Sequence, residues 1–245
     1  MRLDISWKLD RTEKYFRIWN GNSESMRTDQ DINNGGEHTF IRWATVQRAI
    51  DNYRQWIVAA QAIFDTLNVY PDLDNLYAGN AASITGVSDI QRRTIMTHWI
   101  AAGANLITGS DLKRLDTLGV ELLTNKDALA VADFTAKYPM QPHNPGTGGS
   151  DAKQLQAWIA GPDASGRAAV VIANYGPDQG QGGFGSKLAG KQKVTVSWTD
   201  LGVKGPLQAK NVWTGKACSG AKDGVQVSLD EGESVLLWVT PQNRS

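Results

Sequence analysis

The stretch Tyr138-Pro-Met-Gln-Pro-His-Asn-Pro-Gly-Thr-Gly-Gly-Ser150 divides the chain. Its three prolines remove backbone donors and its three glycines loosen the backbone, so it reads as a linker or an extended connection. The hydrophobic spacing is different on its two sides, which predicts two structural units, 1–140 and 151–245.

Upstream, helical patterns alternate with short apolar runs. Val46, Ile50, Tyr53, Ile57, Ala60, Phe64 and Leu67 recur at steps of three and four, one face of an amphipathic helix over 45–68. Leu76–Asn80 and Asn105–Gly109 are short runs ending in turn residues, as buried strands do. Between them, 88–104 returns to helical spacing, with Ser88 as N-cap and Ile95, Trp99 and Ala102 on one side. Thr124 is read as the cap of a further helix, with Asp127 set to complement its dipole. Strand alternating with helix predicts βα units on a parallel sheet.

Downstream the period becomes two. Residues 155–159, 168–174, 193–198, 209–213, 225–229 and 234–239 read as strands separated by turn clusters such as Gly161-Pro-Asp163. Six strands without a helical pattern predict an antiparallel sandwich. Gly176–Gly190, with six glycines, reads as the most flexible segment.

Composition narrows the function classes. The chain has 245 residues, with Lys+Arg 25 against Asp+Glu 25, so no basic footprint for nucleic acid exists. No apolar run is long enough to span a membrane, and the N-terminal residues lack the apolar core of a signal peptide. The single cysteine, Cys218, excludes an intrachain disulfide and reads as a small β-domain side chain. His38, His98 and His143 share no metal-ligand spacing, and no motif calls for a cofactor. Tryptophan stands out with nine residues against five Phe and six Tyr. Its flat apolar face with one donor suits a sugar ring, although large aromatics also simply fill cores.

Carboxylates at the ends of parallel strands are candidates for chemistry. Asp31, Asp72 and Asp111 occupy such places, and from spacing alone each reads as a loop cap or a solvated charge before it reads as a catalyst. Arg27, four residues before Asp31, can bind substrate hydroxyls while supporting a neighbouring carboxylate.

The segment Met26-Arg-Thr-Asp-Gln-Asp-Ile32 resembles the acid/base motif of glycoside hydrolase family 27, the α-galactosidases and α-N-acetylgalactosaminidases. Pro71-Asp-Leu-Asp-Asn-Leu76 with Gly79-Asn80, His98-Trp99, Asn105–Leu112 and Leu123–Lys126 resemble later motifs of that family, in the same order. The glycine-rich Asn174–Phe184 is similar to a fungal branch. The resemblance implies the C-terminal part of a (β/α)8 barrel followed by an antiparallel β-sandwich, in a retaining enzyme with two carboxyl groups. It implies Asp31 as acid/base, Arg27 as a ligand of a substrate hydroxyl, and Ser6 and Trp7 as substrate contacts near the sugar 2-position. Asp72 and Asp111 match family positions and are given a mainly structural, capping role. The implied substrates are α-galactoside oligosaccharides or polysaccharides, and family members are typically secreted.

The family's nucleophile motif, of the type Lys-Tyr-Asp-Asn-Cys, does not occur. A complete barrel needs about 250 residues, so the chain is expected to start near the fifth barrel strand, to be inactive or barely active alone, and to associate through open strand edges. Two alternatives stay open. One is a non-catalytic carbohydrate-binding or interaction protein derived from that family, using the β-domain with Trp158, Trp198, Trp213 and Trp238. The other is α-N-acetylgalactosaminidase specificity, for which the small Ser6 leaves room.

Overall fold

The computed structural model describes residues 3–6, 12–33, 38–62, 69–143, 154–181, 188–204, 207–218 and 223–242. Three short parallel strands begin it: Asp4–Ile5 (β1), Ser25–Arg27 (β2) and Tyr70–Asp72 (β3), adjacent in that order. Glu13–Asn22 (α1) connects the first pair and Trp43–Gln61 (α2) the second. The register sets Ile5 beside Met26 and Arg27 beside Asp72. A fourth parallel step is a single bridge between Leu76 and Thr108.

Full strands were expected at 76–80 and 105–109. The ladder is cut short because the Asn80 side chain takes backbone groups a ladder would use: its amide donates to the Asp111 carbonyl and its oxygen accepts from the Asp111 N–H, at 2.9 and 2.8 Å. On the other side Asp74, with φ of +72°, turns the chain just before Leu76.

α2 follows its predicted face. Val46, Ile50, Tyr53, Ile57 and Ala60 are buried; Phe64 and Leu67 lie outside the described residues. α1 shows only two buried residues, Phe16 and Trp19. They pack with Trp56 of α2, both ring pairs at 5.0 Å, in a small cluster with Met26 and Val69. Burying a large side chain of this kind contributes about 1.5–3 kcal/mol.

The short helix Ala82–Thr85 (α3) precedes Asp89–Ala101 (α4), which starts with a complete Ser88–Gln91 capping box. Thr117–Thr124 (α5) and Lys126–Thr135 (α6) follow. The expected cap at Thr124 is corrected: Asn125 caps α6, its side chain accepting from the Ala128 N–H at 2.9 Å. Thr124 instead ends α5 and its hydroxyl donates to the Val120 carbonyl.

The second half is antiparallel. Gln141–His143 (β4), Leu155–Ala160 (β5), Ala168–Asn174 (β6), Gln192–Ser197 (β7), Leu207–Asn211 (β8), Gly224–Leu229 (β9) and Glu233–Pro241 (β10) form two sheets. One has the order β4-β5-β6-β10-β8, the other pairs β7 with β9. β4 falls inside the Pro-rich stretch read as a linker. Pro142 is tolerated because β4 is an edge strand paired only with β5.

β5 and β6 are buried along their whole length. Leu155, Ala157, Val170, Ile172 and Leu237 face the core between the two sheets. Trp158, Val171, Ala173 and Leu236 face the opposite way and share one core with α2, α4 and α6. That shared core contains a donor chain. Trp158 Nε1 donates to the Tyr175 hydroxyl at 3.1 Å, and that hydroxyl lies 3.2 Å from His98 Nδ1. With His98 Nδ1 unprotonated, the hydroxyl donates to it.

Candidate active site

β2 ends at Arg27, and the loop after it brings Asp31 back within 2.8 Å of the Arg27 guanidinium. That loop is fixed from α2. Arg48 Nε donates to Asp29 at 2.7 Å, Asn52 donates to the other Asp29 oxygen, and a second Arg48 nitrogen donates to the Asp31 carbonyl at 2.8 Å. Trp56 Nε1 holds the Thr28 carbonyl at 2.8 Å. Asp29 and Thr28 are buried, whereas the Asp31 side chain is 74% exposed. The loop backbone is thus rigidly held while its last carboxylate faces outward.

The other side of Arg27 is occupied. Its Nε donates to Asp72 at 2.9 Å, and a terminal nitrogen lies 3.5 Å from Asp74. Asp72 also accepts from the Asp74 N–H, and Asp74 accepts from the Ile32 and Asn75 N–H groups. The Asp72 and Asp74 side chains are only 12% and 7% exposed. Burial acts to lower the pKa of Arg27, but hydrogen bonding and charge from Asp72, with Asp74 and Asp31, outweigh it, so the guanidinium stays charged. One cation therefore organises three carboxylates, two committed to protein donors and one open to a ligand.

Tyr77 and Phe40 flank this group, with ring centroids 5.7 Å apart. Burial raises the Tyr77 pKa; the hydrogen bond with Asn75 opposes this, and Asp74 and Asp31 add to it. The phenol stays a neutral donor. Gly109 makes room for its ring, since a Cβ there would stand 2.5 Å from Tyr77 Cε1.

Among the expected site residues, the structure brings Arg27 and Asp31 into direct contact. Ser6 follows β1 at the same end of the sheet and is exposed. Trp7 lies outside the described residues. Asp72 does more than cap a turn, because it also orients Arg27. Asp111 is a cap only: it accepts from the Lys113 N–H and from Arg114, which holds its carboxyl below the usual range. Asp74, Tyr77 and Arg48 were missed by the sequence reading. The Asp-x-Asp spacing of 72 and 74 was the available signal for Asp74; Arg48 lies on the side of α2 opposite the Val46–Ile50–Tyr53–Ile57 stripe, beside Asn52, where the apolar spacing carries no signal. Among the described residues, no group of three His, Cys, Asp or Glu is placed to hold a metal ion.

Of the four β-domain tryptophans considered for sugar binding, Trp158, Trp198 and Trp213 are buried in the cores. This corrects the idea that they present a binding face; Trp238 alone of the four is partly open.

Comparison with known proteins matches residues 152–239 to the α-galactosidase C-terminal β-sandwich domain. Alpha-galactosidase 3 of Hypocrea jecorina is 52% identical over 238 residues, which is 97% of this chain and 38% of that protein. Among solved structures, a GH27 β-L-arabinopyranosidase from Geobacillus stearothermophilus superposes with a TM-score of 0.74 at 20% identity, over 98% of this chain and 50% of that one. An α-galactosidase from Saccharomyces cerevisiae, solved with raffinose, gives a TM-score of 0.61 at 11% identity, over 93% of this chain and 61% of that one. The chain thus spans well under half the length of the Hypocrea relative.

Proposed function

The chain belongs to the fungal α-galactosidases of glycoside hydrolase family 27, whose C-terminal portion it matches, and from this we propose that it supplies the acid/base part of a retaining α-galactoside hydrolase. The observation behind this reading is the Arg27–Asp31 contact at the C-terminal end of a parallel strand, with Asp31 exposed on a loop held by Arg48. In this reading β1 to β3 and the Leu76–Thr108 step are the last part of a (β/α)8 barrel, and the cluster lies on the face where barrel enzymes bind substrate.

Asp31 donates its proton to the glycosidic oxygen as the bond to the sugar breaks, then takes a proton from water as the glycosyl-enzyme is hydrolysed. Arg27 binds a sugar hydroxyl and keeps Asp31 in place. Asp72 and Asp74 are poorly suited to attack the anomeric carbon, because they are covered and already accept from Arg27 and from backbone N–H groups. The attacking carboxylate is supplied from outside these 245 residues. Galactosides such as raffinose, the sugar in the Saccharomyces structure, are the proposed substrates. Ser6 borders the 2-position.

Hydrolysis of an aryl α-galactoside tests this. The chain alone gives no turnover above background. Fused behind the preceding segment of the Hypocrea relative it becomes active, and Asp31→Asn then lowers kcat by about 10²–10⁴. Full activity of the chain alone, or of the fused Asp31→Asn variant, overturns the proposal.

A further inference from the structure

A cavity of about 630 Å³ lies between α6 and the helix-facing side of the five-stranded sheet, at the rim of the shared core. It shares no lining residue with the Arg27 cluster. Its size falls within the range of roughly 300–1,000 Å³ typical of small-molecule sites. We propose that it is a second carbohydrate site, one that takes a single uncharged pyranose ring.

The aromatic lining points to a sugar. Seven of the eight described tryptophans are buried; Trp238, the remaining one, lines this cavity. Its indole does not stand alone. Phe134 meets it edge-on at 5.1 Å, and Tyr138 lies 4.9 Å beyond Phe134. The axial C–H groups of a pyranose form an apolar patch that fits the electron-rich face of such rings. The Arg167 guanidinium stands over both Trp238 and Phe134, at 5.2 and 5.3 Å, so a polar donor fork and an aromatic floor meet at one point.

The charged lining points to an uncharged ligand. Three cations, Lys137, Arg167 and Lys210, face three carboxylates, Asp127, Asp133 and Asp163. The formal charge of the wall is zero, which gives no net pull on an anion or a cation. Two pairs are already joined, Lys210 to Asp127 at 2.9 Å and Arg167 to Asp163 at 3.0 Å. A vicinal diol can donate to a carboxylate and accept from the adjacent cation in the same motion, whereas an ionic ligand breaks one of these pairs.

The location is fixed by both halves of the fold. Trp238 and Lys210 are register partners on β10 and β8, and Phe134, Lys137 and Tyr138 come from α6 and the turn after it. The site therefore exists only where the helices meet the sandwich, and it is independent of Asp31.

The test is NMR titration of the isotope-labelled 245-residue chain with methyl α-D-galactopyranoside, methyl α-D-glucopyranoside and methyl α-D-mannopyranoside. Expected are saturable shifts of the Trp238 indole N–H and of amides 133–138 with at least one glycoside, at a dissociation constant of about 1 mM. Asp133→Ala, an exposed change, and Trp238→Phe, which keeps a ring, each weaken binding by about tenfold, and Asp31→Asn leaves it unchanged. No saturable shift with any of the three glycosides overturns the proposal. So does binding that survives either cavity variant unchanged, or a response at this cavity to citrate but to no glycoside. Shifts confined to Arg27, Asp31 and Tyr77 overturn it while leaving the proposed hydrolase role intact.

Discussion

Arg27 and Asp72 are register partners across the β2–β3 ladder, and their side chains meet as well, with Nε donating to the carboxylate at 2.9 Å. The strand pairing and the ion pair thus enforce each other. Arg27 reaches Asp31 with a nitrogen left over from that contact, so the outer carboxylate depends on the inner one.

Removing the cation exposes this dependence. Arg27→Ala leaves Asp72 and Asp74 covered without their partner and destabilises the chain by about 3–5 kcal/mol, read as a fall in the urea midpoint. Arg27→Lys recovers only part of the loss, because an ammonium lacks the planar fork that serves several carboxylates at once. Equal stability of Arg27→Ala and the parent sinks this account.

Asp74 is the only described non-glycine residue with positive φ. Asn tolerates that conformation as Asp does, while Ala does not. Asp74→Asn is expected to keep the turn, and Asp74→Ala to lose about 1–3 kcal/mol from strain together with the bonds to Ile32 and Asn75. Thermal melts of the two variants check the difference.

Burial pushes His98 down to about 3 from its ordinary value of 6.5. The unfolded chain binds a proton below about pH 6.5 that the folded chain refuses, so this contribution is complete above that pH and is lost as pH falls toward 3. Stability measured between about pH 4.5 and 8 should decline on the acid side by up to about 1.4 kcal/mol per unit. His98→Gln flattens that decline. An unchanged slope in the variant assigns the effect to other groups.

Two glycines predict opposite outcomes. A Cβ on Gly21 in α1 meets nothing within 4 Å, so Gly21→Ala stabilises by about 0.5–1 kcal/mol through helix propensity. A Cβ on Gly119 falls 1.8 Å from the Gly79 carbonyl oxygen. Gly119→Ala therefore forces α5 away from the chain after β3 and costs about 3 kcal/mol or more. Calorimetric midpoints distinguish the two.

The legibility of the sequence follows from the range of the forces involved. α2 and α4 were readable because their buried residues recur at helical spacing, and Ser88 announces its own cap. The β-domain strands were readable as apolar runs even where, as in β6, burial on both faces erases the alternation. α1 was missed because two aromatics alone carry its buried face. β4 was hidden by the proline that its edge position tolerates. At the candidate site, Arg27 and Asp31 are four residues apart and share a loop, so their pairing was visible. The Arg27–Asp72 contact spans 45 residues and the Arg48–Asp29 contact 19; only the folded chain brings those groups together.

The five-stranded sheet is filled on both sides, by the second sheet on one and by α2, α4 and α6 on the other. Separating the sandwich from the helices would strip Trp158, Val171 and Leu236 of their cover, and would do the same to Tyr53 and His98 on the other side. The two parts therefore stand or fall together: neither keeps a covered core once the other is gone.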